Sequence, residues 1–140
     1  MEVMQSVFSV PVRVYIEDTD AGGIVYYVNY LKFMERARTE FLRALGYDKP
    51  AILTTGQLLV VHSASVNYRR PARLDDSLSV TAVPVKVARS SVIFLQQVFR
   101  ERELLCEANI RIACVDASSM KPSALPEDIH AKISALVAPQ

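Results

Sequence analysis

The sequence predicts an α+β fold in which a curved antiparallel sheet of five strands wraps around one long helix. Three observations predict this class. One apolar segment has helical spacing, and five segments have the composition of strands. The connections between the later strands are too short to hold crossover helices, so their pairing must be largely antiparallel. The length of 140 residues fits one domain, 1–140, with a core of its own.

The first strand is predicted over 8–17, where Pro11 indicates an edge or a bend near its start. A helix follows from about Val28 to Leu45, with Asn29 as candidate N-cap and Gly46 as the glycine that ends it. Its apolar stripe is Tyr30, Phe33, Met34, Ala37, Phe41 and Leu45. Much of the remaining surface is charged and consists of Glu35, Arg36, Arg38, Glu40 and Arg43.

Four further strands are predicted over 58–69, 77–88, 90–101 and 104–116, after an irregular segment or short helix over 48–57. One face of the first is predicted to hold Leu58, Val60, Ala64, Val66 and Tyr68. One face of the last is predicted to hold Leu104, Cys106, Ala108, Ile110, Ile112 and Cys114. Pro126 suits the first position of a short C-terminal helix. Because one long helix covers only one sheet face, the other face and the edges favour oligomerisation.

Composition excludes several classes of protein. The net charge is +1 and no run of lysine or arginine occurs, which is atypical of a nucleic-acid binder. The N-terminus lacks the pattern of a signal peptide, and no apolar run reaches the ~20 residues that span a bilayer, so we expect a cytoplasmic protein. Cys106 and Cys114 lie about 26 Å apart along one predicted strand, too far for a disulfide. Two histidines and two distant cysteines form no metal-ligand pattern, and we expect no cofactor.

The stretch from Ile16 to Tyr30 carries the strongest chemical signal. Asp18 and Asp20 end a strand-like run, and two glycines separate them from the helix. The aspartates could shape a turn, could belong to a metal or phosphoryl site, or could supply one catalytic carboxylate facing the N–H groups of the helix start. The phosphoryl site expects βαβ architecture, which the antiparallel strands disfavour. With no G-x-S-x-G or phosphate-loop motif, a hydrolase of this sequence must use aspartate or glutamate.

Other candidate residues have ordinary structural interpretations. His62 lies on the predicted apolar side of a strand, as a core or interface histidine does. Glu35 and Glu40 are better explained as partners of helix-surface salt bridges than as catalysts. Strand ends carry a group of cations that is either a solvated rim or an anion site for a phosphorylated ligand, namely Arg69, Arg70, Arg73, Lys86 and Arg89.

Residues 12–26, VRVYIEDTDAGGIVY, and 35–40, ERARTE, resemble the hot-dog-fold thioesterases of the 4-hydroxybenzoyl-CoA thioesterase family. Residues 71–76, PARLDD, with MKP at 120–122 and ALP at 124–126, resemble the YbgC-type branch, the acyl-CoA thioesterases encoded with the Tol–Pal envelope system. The resemblance covers nearly the whole chain, from residue 10 to residue 130. It implies the sheet wrapped on a helix that the pattern also predicts.

The resemblance implies hydrolysis of an acyl-CoA thioester to a carboxylic acid and CoA. Asp20 would be the catalytic carboxylate, as nucleophile or as base for water, and the backbone N–H near Tyr27 would polarise the thioester carbonyl. Gly22 and Gly23 would let substrate approach the backbone closely. CoA phosphates would contact Arg89, Ser90 and Ser91. The resemblance also implies a site at a dimer interface and a homotetramer built as a dimer of dimers.

Tyr27 is the one departure from the branch pattern, because many members carry histidine there, whereas the hydroxybenzoyl branch carries tyrosine. This substitution keeps a rival function open, an acyl-chain or acyl-carrier-protein binding module of an envelope or lipid assembly with little turnover. The expected cytoplasmic location includes a peripheral position at the inner membrane. Short aliphatic, long aliphatic and aromatic acyl groups are all compatible with the sequence.

Overall fold

The computed structural model describes residues 7–50, 53 and 55–137, and within them the long helix lies against one face of an antiparallel sheet. The helices are α1 (Tyr27–Ala44) and α2 (Glu127–Ser134). The strands are β1 (Ser9–Arg13), β2 (Gln57–Tyr68), β3 (Ser77–Thr81), β4 (Val83–Val87), β5 (Ser91–Arg100) and β6 (Glu103–Asp116). Their order is β1-β3-β5-β6-β2, with β4 also paired to β5. The predicted fold class is confirmed.

The number of strands differs from the five predicted. The segment 77–88 is divided at Ala82 into β3 and β4, which both pair with β5 in one continuous register. The backbone ladder is interrupted there because the Gln97 N–H donates to the Thr81 side-chain hydroxyl (2.9 Å). The first strand ends at Arg13 instead of reaching residue 17, and a 3-10 turn follows at Ile16–Asp18. The predicted irregular segment 48–57 lies partly outside the described residues.

Helix α1 buries the stripe that its spacing predicts. Tyr30, Phe33, Met34, Ala37 and Phe41 are each no more than 5% exposed. Leu45, the last predicted member, is half-buried. The stripe packs on β1, β3 and β5, so burial of this face fixes the helix on the sheet.

Both ends of α1 can be compared with the prediction. Gly46 ends the helix as predicted, with a φ of 108° that favours glycine. Its N–H donates to the Arg43 carbonyl (2.9 Å), and the Tyr47 N–H donates to the Leu42 carbonyl (3.2 Å), the hydrogen bonds of a Schellman motif. Asn29 as N-cap is wrong, because the N-cap is Tyr26 and Asn29 lies within the first turn.

Strand β2 contains a β-bulge between Val61 and Ser63 that the sequence pattern does not reveal. The extra residue, His62, reverses the alternation. Before the bulge Leu59 and Val61 face the buried residues of β6, and after it Val66 does. The predicted single face is therefore wrong for Leu58 and Val60, which lie on the outer face.

Strand β2 is also an edge of the sheet and is exposed along most of its length. His62 is exposed, so a core position for it is wrong, and an interface position stays a prediction. On β6 the predicted inward residues from Cys106 to Cys114 are buried, with both cysteines unpaired, and Leu104 is half-buried.

Helix α2 begins one residue later than predicted, because Pro126 is its N-cap instead of its first helical residue. Its buried residues, Ile129 and Ile133, join the core beside α1. Neither α1 nor α2 combines the length and apolarity that crossing a membrane requires, and they are the helices of the described chain.

Candidate active site

The loop between the 3-10 turn and α1 folds back on itself and carries Asp20 at its tip. Thr19 pairs with Val25, and the backbone N–H of Asp20 donates to the Ile24 carbonyl (3.0 Å). The N–H of Gly23 donates to the Asp20 carbonyl (3.0 Å), and Gly23 has a φ of 76°. A side chain at this glycine would be strained, so the tight turn depends on it.

The carboxylate of Asp20 is exposed, and only part of its hydrogen-bonding capacity is used. Its Oδ1 accepts from the Gly22 N–H (2.9 Å), as in an Asx turn. Within the described ranges no donor reaches its Oδ2. The structure thus presents a carboxylate oxygen at a defined position and does not use it as a helix cap.

Asp18 has a different, structural environment. It is 5% exposed, and its Oδ2 accepts from the Tyr15 N–H (2.9 Å). Its Oδ1 accepts from the Asn29 side-chain amide (2.8 Å), and its carbonyl accepts from the Tyr26 N–H (2.9 Å). Asp18 therefore joins the end of the first strand to the first turn of α1, which holds the Asp20 loop between two fixed points.

Replacing Asp18 should unfold this junction. In Asp18→Ala the buried Asn29 amide and the Tyr15 N–H lose their acceptor, and we expect a loss of about 2–4 kcal/mol in the free energy of unfolding. Urea denaturation measures it. Glu17→Ala, which removes an exposed neighbouring carboxylate, is the control and should change stability by less than about 0.5 kcal/mol. Equal stability of both variants would contradict the structural role of Asp18.

At the start of α1, which follows this loop, backbone N–H groups lack hydrogen-bond acceptors among the described residues. The N-cap Tyr26 makes no side-chain capping bond, and the first turn contains no acidic residue. In the part of the chain that the structure describes, no group accepts a hydrogen bond from the Tyr27 N–H. A helix start of this kind carries a partial positive charge and can stabilise an oxyanion.

Four tyrosines gather around the helix start, a feature that sequence reasoning missed. The rings of Tyr26 and Tyr27 lie 5.0 Å apart, Tyr27 meets Tyr68 edge to face at 5.9 Å, and Tyr68 lies 5.6 Å from Tyr30. Three of them, Tyr27, Tyr30 and Tyr68, border an open groove of about 230 Å³, whose lining also includes Arg69, Arg70 and Pro71. Burial raises the pKa of Tyr68 and of Tyr30, so both phenols stay neutral at pH 7. The sequence shows each tyrosine, but only the fold brings Tyr68 to Tyr27.

The connection from β2 to β3 supports the helix start from the other side. The Val25 N–H donates to the Ala72 carbonyl (2.8 Å), and the Ala72 N–H donates to the Tyr30 hydroxyl (2.9 Å). Arg100 fastens this connection to the β5–β6 hairpin by bonds of 2.7 Å to both Asp76 and Glu103. The chain segments around Asp20 are therefore held together by hydrogen bonds and ion pairs.

The Arg100–Asp76 contact predicts a dependence of stability on pH. Burial alone raises the pKa of Asp76, but hydrogen bonds from the Arg73 N–H and the Arg100 guanidinium outweigh it and hold that pKa below its usual value. A lowered pKa in the folded state adds stability above the unfolded pKa of about 3.9, and this stability is lost as pH falls through the folded pKa.

Asp76→Asn should therefore lose about 1 kcal/mol at pH 7 and should show a flatter fall of stability below pH 4 than the wild type. Urea unfolding across a pH series measures both effects. If the two stability curves run parallel through the acid range, the Asp76 carboxylate is not the group that titrates.

Arg89, Ser90 and Ser91 do not lie beside Asp20 within one chain. Arg89 and Ser90 precede β5 and Ser91 is its first residue, whereas the Asp20 loop lies at the other end of that strand, where Arg100 meets Asp76. Ten residues of strand separate the two places by about 30 Å. The sequence could not reveal this separation, because it depends on which end of β5 each loop joins.

The two glutamates of α1 have different surroundings. Glu40 forms a salt bridge with Arg43 (2.6 Å), as predicted. Glu35 makes no salt bridge among the described residues, so that part of the prediction is wrong. Glu35 instead borders the chamber, the name we give to a cavity of about 310 Å³ between α1, the inner face of β2, β5 and β6, and α2. The chamber lies towards the Arg89 end of the sheet.

An exposed carboxylate in a tight turn therefore precedes a helix whose start makes no side-chain capping bond. Residues 14–133 match the family model described as the thioesterase-like superfamily, and the chain belongs to that family.

Among its relatives are the "Acyl-CoA thioesterase YbgC" of Haemophilus influenzae and the "Acyl-CoA thioester hydrolase YbgC" of Escherichia coli O6:H1. The first is 45% identical over 89% of this chain and 92% of its own length. The second is 44% identical over 91% of this chain and 96% of its own length.

Solved structures agree with the fold. A probable thioesterase from Bartonella henselae superposes with a TM-score of 0.80 at 31% identity, covering 86% of this chain and all of that one. A 1,4-dihydroxy-2-naphthoyl-CoA thioesterase from Synechocystis superposes with a TM-score of 0.84 at 23% identity, covering 96% of this chain and 100% of that one. The second likeness concerns the fold alone. The neighbours are hot-dog-fold proteins, as the sequence resemblance implies.

Proposed function

We propose that the protein hydrolyses acyl-CoA thioesters with Asp20 as the catalytic carboxylate. The observation that carries this proposal is an exposed carboxylate oxygen, fixed in a tight turn, beside an uncapped helix start. Water oxygen becomes bonded to the acyl carbon, the carbon–sulfur bond breaks, and the proton from water reaches the CoA thiolate. Asp20 either takes that proton first or attacks the carbonyl itself and is released by water. The Tyr27 N–H stabilises the oxyanion on the former carbonyl oxygen.

The groove beside Tyr27 suits the thioester end of the substrate. Gly22 and Gly23 carry no side chains, which allows a ligand to approach the loop backbone closely. Arg89, Ser90 and Ser91 are proposed to bind the CoA phosphates, and Arg89 is exposed as such a contact requires. Because these residues lie at the far end of β5 in their own chain, we infer that a second copy of the chain brings them to Asp20.

Strand β2 is the proposed dimer contact. It is a twelve-residue edge strand without a single charged side chain, and Val61 and Tyr68 on it are 53% and 46% exposed. Edge strands of this kind pair readily with another strand. Antiparallel pairing with the same strand of a second copy would bring the Tyr68 end of one chain to the Gln57 end of the other. The Asp20 loop of one copy would then lie beside the chamber end of its partner.

Lysine at the exposed Ser63 and Ser65 tests this contact, because two-fold pairing would place the introduced charges close to one another. We expect the double variant to sediment as a monomer with an intact circular dichroism spectrum and with activity lost together with the dimer. The exposed substitutions Ser118→Lys and Ser119→Lys, in the loop after β6, form the matched control. A monomeric wild type that is fully active would contradict the shared site.

The outer sheet face suggests how two such dimers associate. Val83, Ile93 and Leu95 lie on this face and are half-buried in a single chain. We infer a dimer of dimers in which these apolar residues are covered, and a sedimentation mass of four chains is the expected result. A dimer that does not associate further at high concentration would contradict this arrangement.

Turnover of purified wild type on a panel of acyl-CoA esters, measured by thiol release, tests the proposed function. A rate on the order of 1 s⁻¹ or more with at least one ester is the expected result. Capture of acyl carrier protein, measured in parallel, addresses the rival binding role. Tight capture with barely measurable turnover of every ester would overturn the enzymatic proposal.

A further inference from the structure

The chamber contains a buried cation without an anionic partner. Arg38 is 9% exposed and borders this cavity, whose other walls are largely apolar. Its Nη1 donates to the Gln96 Oε1 (2.8 Å), which is a neutral acceptor. In the described ranges no carboxylate oxygen lies within 4.0 Å of its guanidinium. Buried charges in proteins are normally paired, so this arginine requires an explanation.

Gln96 does not neutralise Arg38 but fixes its position. Gln96 is fully buried, and its amide donates to the carbonyls of Met34 (2.9 Å) and Thr81 (3.0 Å). The single acceptor oxygen that remains takes one of the five N–H groups of the guanidinium. Burial lowers the pKa of Arg38, yet an arginine remains charged at pH 7. A positive charge with unused donors therefore borders the chamber, and these donors are open to solvent, because no fully buried side-chain nitrogen of the described residues lacks a hydrogen-bond partner.

The rest of the chamber suits an acyl chain. Phe94, Ile129 and Ile133 line it and are each 2% exposed, whereas Glu35 and Val61 are exposed and mark the open side. The volume lies at the small end of the range for ligand sites. Glu35 is the acidic residue on the wall, and its attraction to Arg38 is secondary to the effect of burial. An apolar passage with a fixed cation matches a chain that is apolar along its length and anionic at its end.

We propose that the chamber selects acyl groups that carry a second carboxylate at the end remote from the thioester, and that Arg38 binds this carboxylate. The inference rests on the proposed function for the reaction and adds the substrate class. A guanidinium fork matches the two oxygens of a carboxylate, and such bonds are shorter and stronger than neutral ones. Tyr27 and Arg38 are eleven residues apart in α1, about 16 Å along the helix axis. The preferred length of the acyl chain therefore depends on whether Asp20 of the same copy or of the second copy approaches the chamber.

The test compares wild-type kcat/KM for paired CoA esters, each diacid monothioester against the methyl-ended ester of equal length, from succinyl to dodecanedioyl. We expect a preference of roughly ten- to a hundred-fold for the carboxylated ester at one length or more. Equal values at every length overturn the inference, whereas hydrolysis of the methyl-ended esters still supports the proposed function. If no ester is hydrolysed, the proposed function fails. The carboxylate-binding role of Arg38 is then tested by ligand affinities instead of by kinetics.

The affinities of free adipate and free hexanoate, measured by calorimetry, test carboxylate binding independently of turnover. The wild type should bind adipate at least about ten-fold more tightly. Arg38→Met should bring both the affinity ratio and the kcat/KM ratio to about one, and Arg38→Lys should keep part of them. Arg36→Met, an exposed position on the same helix, is the matched control and should keep both ratios. If folded Arg38→Met keeps the wild-type ratio of adipate affinity to hexanoate affinity, the inference is overturned. If Arg38→Met does not fold, equal affinities of the wild type for adipate and hexanoate overturn it.

Discussion

Asp20→Asn should abolish most of the thioester hydrolysis while leaving the fold intact. Asparagine keeps an oxygen that can accept the Gly22 N–H, so the Asx turn and the loop hairpin should persist. The variant loses the negative charge that either removes a proton from water or attacks the thioester carbon. General-base catalysis contributes about 10²–10⁴-fold, and we expect kcat to fall within that range.

The measurement is steady-state thiol release with the best ester of the wild-type panel, together with urea denaturation. Glu17→Gln is the matched control, because it neutralises an exposed carboxylate three residues earlier and should retain wild-type kcat/KM. The outcome that would contradict the assignment is a folded Asp20→Asn protein with wild-type turnover. Asp18→Asn is a poor control, since its carboxylate also holds the helix start.

The role of Asp20 in the first step can be separated in a second experiment. If Asp20 is the nucleophile, a single turnover stopped by acid should leave some protein with the mass of an acyl adduct on the peptide that contains Asp20. If Asp20 is a base, no adduct forms at any quench time, and product appears without delay. Both outcomes are compatible with loss of activity in Asp20→Asn.

The sequence predicted what local spacing can encode. The apolar stripe of α1 is buried as its period predicts. Gly46 ends the helix because the closing turn has a positive φ there, a backbone conformation that favours glycine. Asp20 was found as a carboxylate between a strand and a helix start, and the structure shows it exposed there. These features depend on neighbours within a few residues in the chain.

Features that depend on distant partners were not predictable. Asn29 has a strong intrinsic preference for the N-cap, but Asp18, eleven residues earlier, takes its side-chain amide instead. The sequence places Arg38 among the charged residues of the α1 surface, because nothing nearby shows that Gln96, 58 residues later, accepts its hydrogen bond inside the protein. The bulge at His62 shifts β2 by one residue, and a period of two cannot reveal an inserted residue.

Tyr27 presents the other half of the proposed site, and its backbone role can be tested without changing the helix. Tyr27 is the first residue of α1, and its N-cap Tyr26 has φ −62° and ψ 131°. Proline is favoured at the first position of a helix, and the residue before a proline prefers this extended conformation. Tyr27→Pro should therefore fold, and it removes the single N–H that we propose as the oxyanion donor.

We expect Tyr27→Pro to lose about 10²–10³-fold in kcat, the effect of removing one oxyanion donor in other enzymes. Tyr27→Ala is the decisive comparison, because it removes the ring from the tyrosine cluster but keeps the N–H. Turnover in Tyr27→Ala should exceed that of Tyr27→Pro by at least about ten-fold. If both variants lose activity equally while circular dichroism shows an intact helix, the side chain and not the backbone acts at this position. In that case the Tyr27 side chain would be the group that contacts the substrate.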